Sequence, residues 1–312
     1  MKECVIETNA LSKTYGSQKV LDRVSIHVER GEIYGLIGDN GAGKSTLFKI
    51  LAGQSLADAG ELALFGQSTK KGLVQSRARM GVLVEEAGFF PSLSVEQNLE
   101  YYRRLKGIPG KACVEKVMAQ VGLLEKRQTS SKKLSMGMKK RLGIAIALLG
   151  DPELLILDEP INGLDPSSIV GMRRLLQQLN TEHNTTILMS SHILSELQQT
   201  ATTFGFLEKG QLIRETTAQA LHDQCMEYLT LMVSDIEGYL VLLEEYYPEE
   251  LYKVLPDRLI QLMNPKHSSE TYSALAAKNG ILVTGMAWHE YTLEDYFMQL
   301  KEGERDAELS KR

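Results

Sequence analysis

Gly38-Asp39-Asn40-Gly41-Ala42-Gly43-Lys44-Ser45-Thr46 follows an apolar run, Ile33 to Ile37, and precedes a helical pattern from Leu47 to Leu51. A glycine, four residues and then Gly-Lys-Ser, set between a strand and a helix, is the phosphate-loop pattern in the context it needs. Glycines let the backbone wrap closely and turn successive N–H groups inward. The helix that follows presents the positive end of its dipole to phosphate oxygens. Lys44 is placed to reach the β- and γ-phosphates, the Ser45 hydroxyl to bind Mg²⁺, and Thr46 to hold a further phosphate oxygen. The loop therefore predicts a nucleoside triphosphate site on an α/β fold.

A triphosphate site needs acids, and the chain supplies them about a hundred residues on, in Leu154-Leu155-Ile156-Leu157-Asp158-Glu159-Pro160. A run apolar at every position suits a parallel strand buried on both faces, and such sheets bind ligands at the carboxyl ends of their strands. Asp158 should emerge beside the phosphate loop and hold Mg²⁺ directly or through water. Glu159, pointing the other way on the pleat, is the candidate to orient or deprotonate the attacking water. Thr185 to Met189 is another buried strand, and it runs into Ser190-Ser191-His192. His192 thus stands just past a strand's carboxyl end, placed for a γ-phosphate contact.

Around this centre the chain divides by pattern. Val20, Val24, Ile26 and Val28 suggest an antiparallel strand running up to Arg30-Gly31, with Tyr15 in the turn before it, where its ring could stack on a base. Gly60 to Phe65 and Gly81 to Val84 read as short strands, the second leading into Glu85-Glu86. Ser94 and Gln97 form a capping box that opens a helix to Leu105, a second helix runs from about Lys111 to Val121, and Ser135 caps a third that reaches Leu149. With no strands between them, residues 86–150 look like an inserted helical subdomain. Gly163-Leu164-Asp165-Pro166 turns into a helix with proline in its first turn, and Phe204 to Ile213 reads as a closing hairpin.

Beyond residue 215 the order β-α-β-β-α-β suggests a small ferredoxin-like domain over residues 216–300, followed by a charged, frayed tail at 301–312. Nothing catalytic is visible in that domain; dimer support or regulation is preferred to ligand sensing.

A chain of 312 residues accommodates one large domain and one smaller one. The net charge of −5 and the lack of a basic stripe with interleaved aromatics argue against nucleic acid as a partner. Cys4, Cys113 and Cys225 are scattered and without metal-ligand spacing, which fits a reduced cytosolic compartment. Lys2 and Glu3 lead straight into a strand-like run, without the pattern of a signal peptide. No apolar stretch approaches the roughly 20 residues needed to cross a bilayer, so work at a membrane requires an anchor on another protein.

In order and spacing these motifs resemble the ATP-binding cassette family, the nucleotide-binding subunits of ABC transporters, over roughly Val5 to Glu215. The resemblance implies that Tyr15 stacks on adenine, that Val20 lies near the base or ribose, and that Gly38 to Thr46 form the Walker A loop. It makes Asp158 the Walker B metal ligand, Glu159 the catalytic base, Asp165 the D-loop aspartate and His192 the switch histidine. Ser135 and Gly137 would belong to the signature motif, which in this family faces the γ-phosphate bound to the opposite subunit. One chain carries one such set, so the resemblance implies a homodimer with two ATP molecules at its interface and a separately encoded membrane permease. The protein would then lie in the cytoplasm, peripheral on the inner face of the membrane.

Two departures from the family pattern stand out. Met136 and Met138 replace a glycine and the glutamine of the usual Leu-Ser-Gly-Gly-Gln, and Glu85 stands where most members have a glutamine that binds Mg²⁺. A carboxylate also ligates Mg²⁺, while adding negative charge near the γ-phosphate. Glu85 with the Ser-Met-Gly-Met form is similar to the bacitracin-export and lantibiotic-immunity branch. Two rivals stand beside a transport ATPase: a soluble cassette acting on DNA or ribosomes, and a slow nucleotide-switched module.

Overall fold

The computed structural model describes residues 3–85, 88–224, 227–256, 258–289 and 292–309. Glu86, Cys225 and the last residues of the tail, 310–312, lie outside the described residues. The chain forms two units, Met1–Ala218 and Gln219–Arg312. The first begins with β1 (Cys4–Tyr15), β2 (Gln18–Val24), β3 (His27–Glu29), β4 (Ile33–Ile37), α1 (Lys44–Ala52), β5 (Ala59–Leu64), α2 (Lys70–Arg77) and β6 (Met80–Leu83). The helices α3 (Val95–Leu105), α4 (Ala112–Gln120) and α5 (Met136–Leu148) follow. After them come β7 (Leu154–Leu157), α6 (Pro166–His183), β8 (Thr186–Ser191), α7 (Leu194–Gln198), β9 (Thr203–Glu208) and β10 (Gln211–Thr217), and α8 (Ala218–Gln224) starts at the last residue of this unit and runs into the second.

Six of these strands make a central sheet in the order β10-β9-β4-β8-β7-β6. Its strands are parallel except β10, which pairs antiparallel with β9. Every residue of β4, β7 and β8 is buried, as expected of strands covered on both faces. A second, antiparallel sheet is built on β1, which pairs with β2, β3 and β5. One apolar core joins both sheets and α1 through residues that include Val5, Val28, Leu36, Phe48, Ile156 and Leu188.

The single strand expected through Val20 to Val28 is two strands, and a threonine accounts for the break. The Thr8 hydroxyl, buried in β1, donates to Val24 O at 3.1 Å and accepts from Ile26 N at 2.9 Å, replacing ladder bonds at the point where β2 gives way to β3. Tyr15 is the last residue of β1 and pairs with Gln18, rather than standing in the turn itself. The sequence reading passed over α2, whose only buried residues are Gly72 and Ser76, so it carries no apolar stripe to read. The capping box is present, with Ser94 Oγ accepting from Gln97 N and the Gln97 side chain accepting from Ser94 N. The first unit runs to Ala218 rather than to residue 215, because β10 continues to Thr217.

The second unit contains β11 (Tyr228–Val233), α9 (Ile236–Tyr246), β12 (Leu251–Leu255), β13 (Leu259–Met263), α10 (Ser269–Lys278), β14 (Val283–His289) and α11 (Leu293–Leu309). Its sheet runs β12-β13-β11-β14 and is antiparallel throughout, the split arrangement that a β-α-β-β-α-β chain makes when each helix crosses over a strand. Leu229, Leu231, Tyr239, Leu243, Ile260 and Tyr272 belong to its own separate core. The charged tail begins within α11, which runs to Leu309.

Candidate nucleotide site

The carboxyl ends of β4, β7 and β8 meet at one place. Immediately after β4 the loop turns back on itself, and two of its glycines are there because nothing larger fits. A Cβ on Gly38 would lie 2.4 Å from Leu207 O, and one on Gly43, at φ +111, would lie 2.8 Å from Val20 O. Gly43 caps α1 without offering a side chain, so the amides of the helix's first turn remain for a ligand. Lys44 is buried, and its Nζ donates to Gly38 O at 2.6 Å and Asp39 O at 3.1 Å, folding an ammonium into the loop. The cleft over this loop is about 380 Å³ and is lined by Val20, the loop from Asp39 to Thr46, Glu159, Asn162 and His192.

Past β7 the two acids take different environments. Asp158 is buried and accepts a hydrogen bond from the Ser190 hydroxyl at 2.6 Å. Glu159 reaches the cleft through a left-handed turn, φ +49, rather than by alternation on the pleat, since β7 already ends at Leu157. Its carboxylate lies 3.9 Å from Lys44 Nζ and 2.7 Å from His192 Nδ1. A cation, a carboxylate and an imidazole thus face one another across a loop of backbone donors. Such a set can bind a polyphosphate and direct a water at its terminal phosphorus.

The remaining sequence candidates lie elsewhere. Tyr15 does not line the cleft; its ring is half exposed and its hydroxyl is 3.3 Å from Ser55 Oγ. Glu85, at φ +66, is ion-paired with Lys49 at 2.6 Å, and that pairing holds Lys49 above the usual ammonium range. Ser135 caps α5 by accepting from Met138 N. Asp165 caps α6 and also accepts from the Ser167 and Ser168 hydroxyls, which lower its carboxyl to about 2. A Cβ on Gly137 would lie 2.8 Å from Ser168 Oγ, so Gly137 and Asp165 both border Ser168 in a second cluster outside the cleft. The sequence reading missed Asn162, Ser190 and Lys140. Asn162 could have been suspected as a polar residue in the loop after the two acids, whereas the roles of Ser190 and Lys140 appear only once the strands and helices are packed.

Comparison with known proteins agrees with this geometry. A family model described as ABC transporter matches residues 21–162. The chain is 40% identical over 296 residues to the bacitracin transport ATP-binding protein BcrA of Bacillus licheniformis, covering 95% of this chain and 97% of that one. It is 36% identical over 211 residues to the lantibiotic transport ATP-binding protein SrtF of Streptococcus pyogenes, covering 68% of this chain and 90% of that one. In fold it is similar to a dimeric ATP-binding cassette in a post-hydrolysis state bound to ADP and phosphate, with TM-score 0.62 and 21% identity, covering 68% of this chain and 98% of that one.

Proposed function

We propose, from the premise that this chain belongs to the ABC transporter family as an ATP-binding and ATP-hydrolysing subunit, that it drives export of a peptide antibiotic through a separately encoded membrane permease. The observation that carries the ATPase chemistry is the approach of Lys44 Nζ to the Glu159 carboxylate, 3.9 Å, at the mouth of the glycine loop.

Lys44 moves its ammonium from the carbonyls of Gly38 and Asp39 to the β- and γ-phosphate oxygens, while the amides of the loop and of α1 bind the remaining negative charge. Glu159 orients a water toward the γ-phosphorus and accepts its proton as the bond to the leaving ADP oxygen breaks. His192, hydrogen-bonded to Glu159, holds that carboxylate and contacts the γ-phosphate. The Ser45 hydroxyl and the Asp158 carboxylate are hard oxygen donors suited to Mg²⁺, with Glu85 a third candidate once it leaves Lys49. Mg²⁺ held there would neutralise charge developing on the phosphates.

Ser135, Gly137 and Asp165 serve the nucleotide of a second copy of the chain, which their position outside the cleft supports. The similarity to the bacitracin relative extends through both units, which favours a peptide antibiotic as cargo. No described helix is long and apolar enough to cross a membrane, so the permease supplies the anchor and the chain sits on the inner membrane face. The edge-packed rings of Phe90, Tyr101 and Tyr102, with Phe90 and Tyr101 exposed, form with Phe89 in the stretch of chain after Glu85 the surface on which a permease helix docks.

The test is ATP turnover of the purified chain with and without Mg²⁺, beside Glu159→Gln. The parent should turn over only with Mg²⁺, and Glu159→Gln should be slower by at least about 100-fold with ATP affinity within a few-fold. A parent-like rate in Glu159→Gln would remove Glu159 as the base.

A further inference from the structure

Glu159 occupies a left-handed backbone conformation, φ +49, which is strained for a residue with a Cβ and persists only where neighbours impose it. Two side chains from other elements grip its two peptide groups. On one side the buried Ser190 of β8 accepts from Glu159 N at 2.9 Å. A serine hydroxyl has one hydrogen to give, and here it goes to Asp158 Oδ1 at 2.6 Å, so Ser190 couples the two acids through a single oxygen. On the other side Lys140, half-buried on α5, donates to Glu159 O at 2.9 Å. That carbonyl accepts a second, longer bond from Asn162 N at 3.3 Å, within its own turn.

We infer that Lys140 and Ser190 are positioning residues of the ATPase reaction, which hold the Glu159 peptide in its left-handed turn and so aim its carboxylate into the cleft. The chemistry of the grips suits that task. Extended backbone at residue 159 would redirect the side chain relative to the cleft, and Lys140 and Ser190 fix the carbonyl and the amide on either side of the φ and ψ that decide this. Neither residue is among those that line the cleft. Lys140 also lies on the helix that Ser135 caps, so a shift of that helix's first turns is transmitted to the Glu159 carbonyl through one hydrogen bond. The inference rests on the reading of Glu159 as the residue that handles the attacking water.

The test separates positioning from packing through the split between kcat and KM and through rescue. Lys140→Met keeps much of the length and loses the donor; Lys140→Arg and Lys140→Gln keep a donor. Lys140→Met should lower kcat about tenfold with KM for ATP and unfolding temperature nearly unchanged, and both donor-retaining variants should recover most of the rate. Ser190→Ala provides the second reading should Lys140→Met fail to fold, and it should lower kcat by about tenfold or more because both acids lose their shared partner. Equal losses in all three Lys140 variants, or a fall in kcat that only follows a lowered unfolding temperature, would overturn the inference. Parent-like kcat in Lys140→Met and Ser190→Ala, with Glu159→Gln inactive, would overturn it while leaving the base assignment standing. Parent-like turnover of Glu159→Gln would remove both.

Discussion

At the amino end of β7, Glu153 accepts from Arg79 Nε at 2.6 Å, Arg79 Nη2 at 2.7 Å and Arg30 Nη1 at 2.8 Å, and these guanidinium groups hold its carboxyl at about 2. At the carboxyl end, four residues of strand later, Asp158 has a serine hydroxyl and Glu159 an imidazole, with a lysine ammonium standing off at 3.9 Å. Both ends carry acids, yet only the first is saturated with cations. An acid neutralised by two arginines ties sheet to loop and has little field left for a ligand. Acids held by a hydroxyl and an imidazole, next to a loop of amide donors, have no guanidinium bonded to them and keep their oxygens available for a metal ion, a water or a proton. The asymmetry follows the rule for parallel sheets, whose ligands collect where the strands end.

Substitution at the carboxyl end should dominate everything else. Lys44→Ala removes the one lysine or arginine among the described residues that line the cleft, so ATP binding and turnover should each fall by about 100-fold or more, measured by nucleotide titration and phosphate release. Loss of turnover with undiminished affinity would place the phosphates away from this loop. Outside the residues that line the cleft the effect should be smaller. Glu85→Gln frees Lys49 and removes one negative charge, so ATP affinity of the purified chain should change by no more than about threefold, while coupling of turnover to the reconstituted permease changes more. Equal coupling in both forms would show that Glu85 acts only as the partner of Lys49.

The amino end should give the smallest effect on activity and a measurable one on stability. Glu153→Gln should leave kcat within about twofold and lower the unfolding free energy at pH 7 by about 1 kcal/mol. That figure is discounted for solvent screening, because the Glu153 side chain is 39% exposed. Since folding lowers the Glu153 pKa from 4.5 to about 2, its stabilisation is complete above the unfolded value and disappears as pH falls through the folded one. The gap between parent and variant in denaturant unfolding should therefore be full at pH 6–7, shrink below the unfolded value of 4.5 and close as pH falls through about 2. A gap that widened on acidification would mean that the arginines do not stabilise the charged form.

Much of this asymmetry was legible before any coordinates. The glycine pattern fixes a loop that only glycines can follow, and the unbroken apolar run from Leu154 announces a strand covered on both faces, so Lys44, Asp158 and His192 could be placed at strand ends. The β-α-β-β-α-β order of the second unit was also readable, because its strands alternate and its helices carry apolar stripes. What stayed hidden was the choice of partner. A single threonine hydroxyl splits the strand expected from Val20 to Val28, and no local pattern announces that. Ser190 and Lys140 look like ordinary residues of a strand and a helix until packing carries them to the same peptide. Tyr15 is the opposite case: its stacking on a base is what the resemblance implies, and the lining of the cleft over the loop does not include it.

The most direct test of the contrast between the two ends of β7 is a crystal structure of Glu159→Gln grown with Mg²⁺ and ATP. The account requires the triphosphate to lie along the amides from Gly41 to Thr46, with Lys44 Nζ on phosphate oxygens and residue 159 beside the γ-phosphate. Nucleotide seated at the Arg30 and Arg79 end of the sheet, or phosphates out of reach of Lys44, would contradict it.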